Sequence, residues 1–209
     1  MTTTNLIFAG VGGQGVLLIA EITALAAARA GHDVKQTEVH GVSQRGGSVE
    51  SHVRFGPAVH SPLVMPGQAD VVIGLEKLEG LRYTSYLRPS PPLGPPRFAG
   101  GMQGGVLLVN DHEIIPGSVA GALEKYPHHA LDYLRDKGIP MAALPASQIA
   151  RDLGDGRMAN IVLLGALTTL LSLPESAWLE TLHAKLPAKA LAANLRAFQA
   201  GRESIALKV

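Results

Sequence analysis

Two glycine-rich stretches hold the residues whose types and spacing could do chemistry. The first is Gly10-Val11-Gly12-Gly13-Gln14-Gly15, directly after the apolar run Leu6-Ile7-Phe8-Ala9. Gly10, Gly12 and Gly15 satisfy G-x-G-x-x-G. Such a turn lets a ligand approach the backbone, and the N-terminus of the following helix favours an anion. Glu38 lies 23 residues beyond Gly15, where a dinucleotide enzyme places a ribose-binding acid. The second stretch, His40-Gly41-Val42-Ser43-Gln44-Arg45-Gly46-Gly47, is not the usual sequel to that acid. Arg45 there is a candidate for a phosphate or carboxylate, assisted by backbone N–H groups around Gly46 and Gly47. Its competing reading is a salt bridge fixing the loop or an interface. Three readings of the first stretch stay open: an anion or nucleotide site, a nicotinamide or flavin dinucleotide site, and a tight turn with no ligand.

Other reactive side chains are arranged less informatively. His40, His52 and His60 stand 12 and 8 residues apart, too far for the tight spacings of structural metal sites. Ser43 lacks a nucleophile-elbow context. His128-His129 beside Pro127 reads as an exposed pair. Lys77, Glu79 and Arg82 read as a charged helix face, solvated or at an interface. No catalytic residue and no metal ligand is assigned.

The elements that must position the glycine stretches follow from periodicity. Residues 6–9 read as a buried strand and 16–30 as a helix ending at Gly31. That helix is apolar on nearly all sides, which implies a second buried contact beyond one sheet face. Residues 33–39 are a strand candidate. In residues 48–55, Val49, Ser51, Val53 and Phe55 alternate with Ser48, Glu50, His52 and Arg54, the mark of a half-exposed strand. Residues 69–74 and 106–110 are buried strands, with a helix expected over 75–87. Residues 88–105 hold ten prolines and glycines in eighteen positions and read as a surface loop or insertion. Residues 118–137 are a helical region, 141–145 a last short strand, and 146–153, 158–173, 176–186 and 188–200 helices. The fold expected is α/β: a single domain spanning 1–209, with a mostly parallel sheet, helices on both faces and a helical C-terminal part.

Composition narrows the function classes. A formal net charge of +1 and 4% aromatic residues give no electrostatic or stacking basis for nucleic acid. The chain has no cysteine, which excludes disulfides, thiol catalysis and thiolate-held clusters on its own residues. The N-terminus shows no signal peptide, and no apolar run is long enough to span a membrane. A cytoplasmic location is expected. The apolar first helix and the apolar 161–171 segment suggest that the chain does not remain monomeric.

Taken together, the two stretches resemble the gamma domain of the 2-oxoacid:ferredoxin oxidoreductases, and within that group the beta-subunit branch of the indolepyruvate enzymes. The resemblance rests on Gly10 to Gly15, on Glu38, on His40-Gly41, on Ser43-Gln44-Arg45-Gly46-Gly47-Ser48 and on Val53-Arg54. Weaker matches are Ala69-Asp70, Leu78-Glu79-Gly80-Leu81-Arg82, Tyr86-Leu87, Val109-Asn110, Asn160, Leu164-Gly165-Ala166, Asn194, Ala197-Phe198 and Gly201. It runs from residue 6 to about 201.

The resemblance implies a non-cluster subunit of an enzyme that converts a 2-oxoacid, such as an arylpyruvate, and coenzyme A to acyl-CoA, carbon dioxide and reduced ferredoxin. Thiamine diphosphate, Mg²⁺ and iron–sulfur clusters would lie on an alpha partner, and coenzyme A on or shared with it. The cofactor-facing candidates are Gly10, Gly12, Gly13, Gln14, Gly15, Ser43, Gln44, Arg45, Gly46 and Gly47. The isolated chain would be inactive, as part of a homo- or hetero-oligomer. Gly154-Asp155-Gly156 mimics the start of a thiamine motif, but its asparagine pair is missing where the chain has Thr181 to Leu186. The 88–105 loop is longer and richer in proline than the family's turn. Two alternatives remain: a stand-alone nicotinamide- or flavin-nucleotide oxidoreductase built on Gly10 to Gly15 and Glu38, and a non-catalytic interaction protein.

Overall fold

The apolar run at residues 6–9 becomes the fully buried centre of strand β1 (Thr4–Val11). The computed structural model describes residues 3–40, 47–89, 104–116, 120–121 and 125–206. Helix α1 (Val16–Arg29) follows the glycine turn and leads to β2 (Asp33–His40). Next come β3 (Ser48–Gly56), β4 (Val71–Gly74) and β5 (Val106–Asn110), and then β6 (Met141–Leu144). All six strands form one sheet in the order β2-β3-β1-β4-β5-β6. The β1–β4, β4–β5 and β5–β6 pairs are parallel, whereas β3 runs antiparallel to both β1 and β2.

The remaining helices among the described residues are α2 (Lys77–Arg82), α3 (Ala130–Asp136), α4 (Ala146–Asp152), α5 (Ala159–Thr168), α6 (Glu175–Lys185) and α7 (Ala188–Ala206). They cover both faces of the sheet. One core packs α1, α4, α5, α6 and α7 against Leu6, Phe8, Val53 and Leu108. The other packs α3 and the 64–87 segment against Ile7, Val72, Leu107 and Val109. The architecture is thus the expected single α/β domain with a mostly parallel sheet and a helical C-terminal part.

Several elements differ from expectation. The helix expected over 75–87 is only α2, followed by a 3-10 turn at Thr84–Tyr86. Gly80 explains part of this: a Cβ there would stand 2.9 Å from Val109 Cγ2, so α2 lies directly on the sheet. The region expected helical over 118–137 contains α3, preceded by turns around Pro127; parts of it lie outside the described residues. His52, expected on the exposed half of β3, is buried because the 64–87 segment covers that face too. The apolar α1 finds its second contact inside the chain, on α6. The apolar α5 is enclosed by α7 and the sheet. Most of the 88–105 insertion lies outside the described residues. Its ends meet, because Gly105 N–H donates to Arg88 O at 2.8 Å and Arg88 pairs with buried Asp70 at 3.1 Å. Among the described residues no helix is long and apolar enough to cross a membrane.

Candidate functional site

The four parallel strands end on one edge of the sheet, the side on which open α/β sheets bind ligands. The first glycine stretch lies on that edge as a ridge between two clefts. Gly13 (φ 101°) and Gly15 (φ 80°) adopt left-handed backbone, which side chains with a Cβ rarely tolerate. A Cβ on Gly13 would meet nothing within 4 Å, so this residue presents open backbone. A Cβ on Gly15 would lie 2.2 Å from Asn160 Nδ2. A Cβ on Gly10 would lie 2.8 Å from Val16 Cγ2, so Gly10 and Gly15 are packing positions, and Gly13 is turned to open space.

Gln14 organises the turn. Its Oε1 accepts from Val11 N–H at 2.7 Å and its Nε2 donates to Leu75 O at 3.2 Å. The amide thus staples the turn to the end of β4. Gln14→Ala should destabilise the chain by about 1–3 kcal/mol, since the Val11 donor loses its partner. Urea unfolding would measure this, and an unchanged midpoint would show that the staple contributes nothing.

The first cleft, of about 450 Å³, is lined by Val11, Gly12, Gly13, Gly15, Val16, Leu17, Val49 and Glu38. It brings Glu38 and the glycine turn together, as the spacing suggested. The arrangement is not the dinucleotide one, because β3 lies between β1 and β2. Glu38 is thereby set a full strand farther from the turn than an acid on an adjacent strand.

The second cleft, of about 270 Å³, opens on the other side of Gly13. Its walls include Gln14, Asn110, His112, Ser147, Arg157 and Asn160. Asn110 is fully used: Nδ2 donates to Leu75 O and Ser147 Oγ, and Oδ1 accepts from Ser147 N–H. Asn160 is not. It is 7% exposed at the start of α5, and its Oδ1 accepts from Ile161 N–H at 2.8 Å. That bond turns Nδ2 toward Gly15 and the cleft, with no protein acceptor among the described residues. Neither α1 nor α5 has a side-chain cap, and neither carries an acid in its first turn. The two helix N-termini and the cleft-facing Asn160 amide donor together suit an anion, whereas the Arg157 guanidinium on the rim is already paired with Asp155 at 2.7 Å.

Sequence reading placed Asn160 only among weak matches. The usable signal was a single amide at the start of an otherwise apolar run, Ile161 to Leu167. Of the ten candidates singled out, Gly10, Gly12, Gly13, Gln14, Gly15 and Gly47 are brought together, with Gly12 N–H donating to Gly47 O at 2.9 Å. Ser43, Gln44, Arg45 and Gly46 lie outside the described residues. His128 and His129 are exposed, and His128 Nδ1 stands 2.9 Å from Glu113. Among the described residues no cluster of three His, Cys, Asp or Glu could hold a metal.

The supposed charged face of α2 is a correction. Lys77 is mostly covered and pairs with Asp111 at 2.8 Å, and Glu79 is 3% exposed. These two lie against the fold, and only Arg82 of the three stays exposed as expected. Burial, aided by the neighbouring Glu76 and Glu50 charges, pushes the Glu79 carboxyl above the ordinary range, although Ser48 and Arg82 oppose the shift. A raised carboxyl contributes stability that is full below its unfolded value of 4.5 and is lost as pH rises through the folded value. Glu79→Gln should therefore gain stability relative to the parent between about pH 4.5 and pH 7.5. Thermal melts at the two pH values test it, and a constant difference would contradict the shift.

Comparison with known proteins places this geometry. A family model described as pyruvate ferredoxin/flavodoxin oxidoreductase matches residues 5–204. The indolepyruvate oxidoreductase subunit IorB of Thermococcus kodakarensis is 36% identical over 208 residues, covering 96% of this chain and 95% of that protein. The gamma subunit of a keto/oxoacid ferredoxin oxidoreductase from Geobacter sulfurreducens superposes with a TM-score of 0.67 at 25% identity, covering 98% of this chain and 99% of that one. A 2-oxoglutarate:ferredoxin oxidoreductase chain from Magnetococcus marinus, solved with 2-oxoglutarate, coenzyme A and succinyl-CoA, shares the fold with a TM-score of 0.73 at 22% identity. All of this chain aligns with 32% of that one. With matches running nearly end to end, the glycine ridge and its clefts belong to a chain of the pyruvate ferredoxin/flavodoxin oxidoreductase family.

Proposed function

We propose that this chain is the cluster-free subunit of a 2-oxoacid:ferredoxin oxidoreductase whose substrate is indolepyruvate or another arylpyruvate. The complex converts the 2-oxoacid and coenzyme A to acyl-CoA and carbon dioxide, and passes the electrons to ferredoxin. The observation that carries this reading is the correspondence with IorB over almost the whole of both chains.

In this reading the anion site takes a phosphate of coenzyme A. Asn160 Nδ2 and the N-termini of α1 and α5 hold it, Gly13 lets it approach, and Gln14 keeps the turn in shape. The flanking clefts accommodate the arms of an extended ligand. Ser43, Gln44, Arg45 and Gly46, which lie outside the described residues, stay cofactor-facing candidates on their sequence pattern alone. This chain does not fit thiamine diphosphate: Asp155, in the motif-like Gly154-Asp155-Gly156 turn, has both carboxylate oxygens committed to Arg157 at 3.0 and 2.7 Å. The absence of cysteine leaves no thiolate for a cluster. Thiamine diphosphate, Mg²⁺ and the clusters are therefore assigned to an alpha partner, which supplies the decarboxylation and electron transfer and meets ferredoxin. The chain by itself is inactive and works in the cytoplasm.

The test is a pull-down of the tagged chain from its host, followed by anaerobic assay with indolepyruvate, coenzyme A and a viologen acceptor. An iron–sulfur partner with CoA-dependent dye reduction supports the reading. Recovery of the chain alone with a bound nucleotide would overturn it. That outcome would favour a second reading, a nucleotide held between the glycine turn and Glu38, for which their shared cleft is the observation.

A further inference from the structure

The two glycine stretches touch at one point, and that point is tied to a buried carboxyl. Gly12 N–H donates to Gly47 O at 2.9 Å. One residue on, Ser48 Oγ donates to Glu79 Oε2 at 2.5 Å, and Glu79 Oε1 accepts from Arg82 at 2.9 Å. Glu79 is held in turn by the fold. Its backbone N–H and that of Leu78 are capped by the Glu76 carboxylate, which also accepts from Tyr126 OH. Behind it, α2 is seated on the sheet: a Cβ on Gly74 would lie 2.6 Å from Gly80 Cα. Close packing of α2 on the sheet and then a run of hydrogen bonds therefore lead from the core strands through Glu79, Ser48 and Gly47 to Gly12.

Burying a carboxyl carries a desolvation cost that an apolar residue avoids. The carboxyl at 79 therefore needs a use. Nothing in the anion site contacts it. From β3 it is faced by Ser48 and Glu50, and from its own segment by Glu76, Arg82 and Tyr83. Glu50 is engaged with Tyr83 and stands 3.7 Å from His52, whose Nδ1 accepts from Val64 N–H. Glu79, together with Tyr83, is thus bonded to Ser48, the residue that follows Gly47.

We propose that Glu79 and Ser48 are positioning residues: their bond fixes Gly47 against Gly12 and so sets the glycine ridge that walls both clefts. The inference rests on the reading of that ridge as a coenzyme A site, and it assigns the pair a part in affinity rather than turnover.

The test uses the reconstituted complex with the 2-oxoacid, coenzyme A and a viologen acceptor. Ser48→Ala and Glu79→Ala should each raise the KM for coenzyme A by about 10-fold, with kcat within about 2-fold, the effect of losing one hydrogen bond to a charged group. The double variant should be no worse than either single one, as expected for two residues sharing one interaction. Glu79→Gln, which keeps an acceptor for Ser48, should restore most of the loss. Hydrogen exchange at the Gly12 amide should quicken in both alanine variants. If Glu79→Ala does not fold, Ser48→Ala carries the test. An unchanged KM, an additive double variant or a fully protected Gly12 amide overturns the proposal. A wild-type complex that turns over without coenzyme A would defeat the functional reading instead, and Gly12 exchange would still decide whether the pair holds the ridge.

Discussion

Asn160→Asp should weaken binding of coenzyme A by about 100-fold or more while changing stability by no more than about 1 kcal/mol. The stability part follows from what the aspartate keeps. One oxygen still accepts from Ile161 N–H, as Asn160 Oδ1 does at 2.8 Å. The other faces two uncapped helix N-termini, whose dipoles offset the desolvation of a new charge. The binding part follows from what it loses. The one side-chain amide donor lining this cleft without a protein acceptor, among the described residues, becomes an anion. Loss of a hydrogen bond to a charged group costs about 1.5–3 kcal/mol. Repulsion between two anions about 5 Å apart adds a similar amount at an effective dielectric near 20. Titration of the complex with coenzyme A, beside a urea melt of the isolated chain, separates the two effects. Wild-type affinity in this variant would show that the anion sits elsewhere.

Gly165→Ala should cost about 3 kcal/mol or more, although alanine is the better helix former by about 1 kcal/mol in an open helix. The reversal comes from the crossing of α5 and α7. A Cβ on Gly165 would lie 1.9 Å from Phe198 O and 2.8 Å from Phe198 C. The reciprocal contact is equally close, since a Cβ on Gly201 would lie 1.9 Å from Val162 O. These neighbours are backbone, so no rotamer change relieves the clash and the helices must separate. Because α5 begins at Ala159, the shift should reach Asn160 and disturb the anion site as well. Urea unfolding of the variant decides the point, and a variant as stable as the parent would mean that the helices are not in backbone contact.

Local pattern carried much of this fold into view. The apolar run at residues 6–9, the glycine turn and the long apolar helix announce a strand–turn–helix because each depends on neighbours in sequence. The alternation of Val49, Ser51, Val53 and Phe55 marked the buried side of β3 for the same reason, and all four are buried. The same alternation misplaced His52. Whether the second face of a strand meets water depends on what the rest of the chain lays across it, here the 64–87 segment. The charged look of Lys77, Glu79 and Arg82 held only for Arg82, which is exposed; a six-residue helix seated on the sheet through Gly80 covers the other two.

The sequence by itself determined the α/β class, the glycine turn at the end of β1 and, through two ordered motifs, the family. Tertiary structure alone decided that β3 enters the sheet between β1 and β2, so that Glu38 reaches the cleft of the glycine turn from one strand farther out than a dinucleotide-binding acid would. It alone also brought the start of α5 to the turn after β1, so that Asn160, 145 residues beyond Gly15 in sequence, presents its free amide there. Strand order and helix docking are choices among distant partners, settled by which arrangement buries the apolar faces and satisfies the polar groups together. Spacing along the chain records only the local half of that balance.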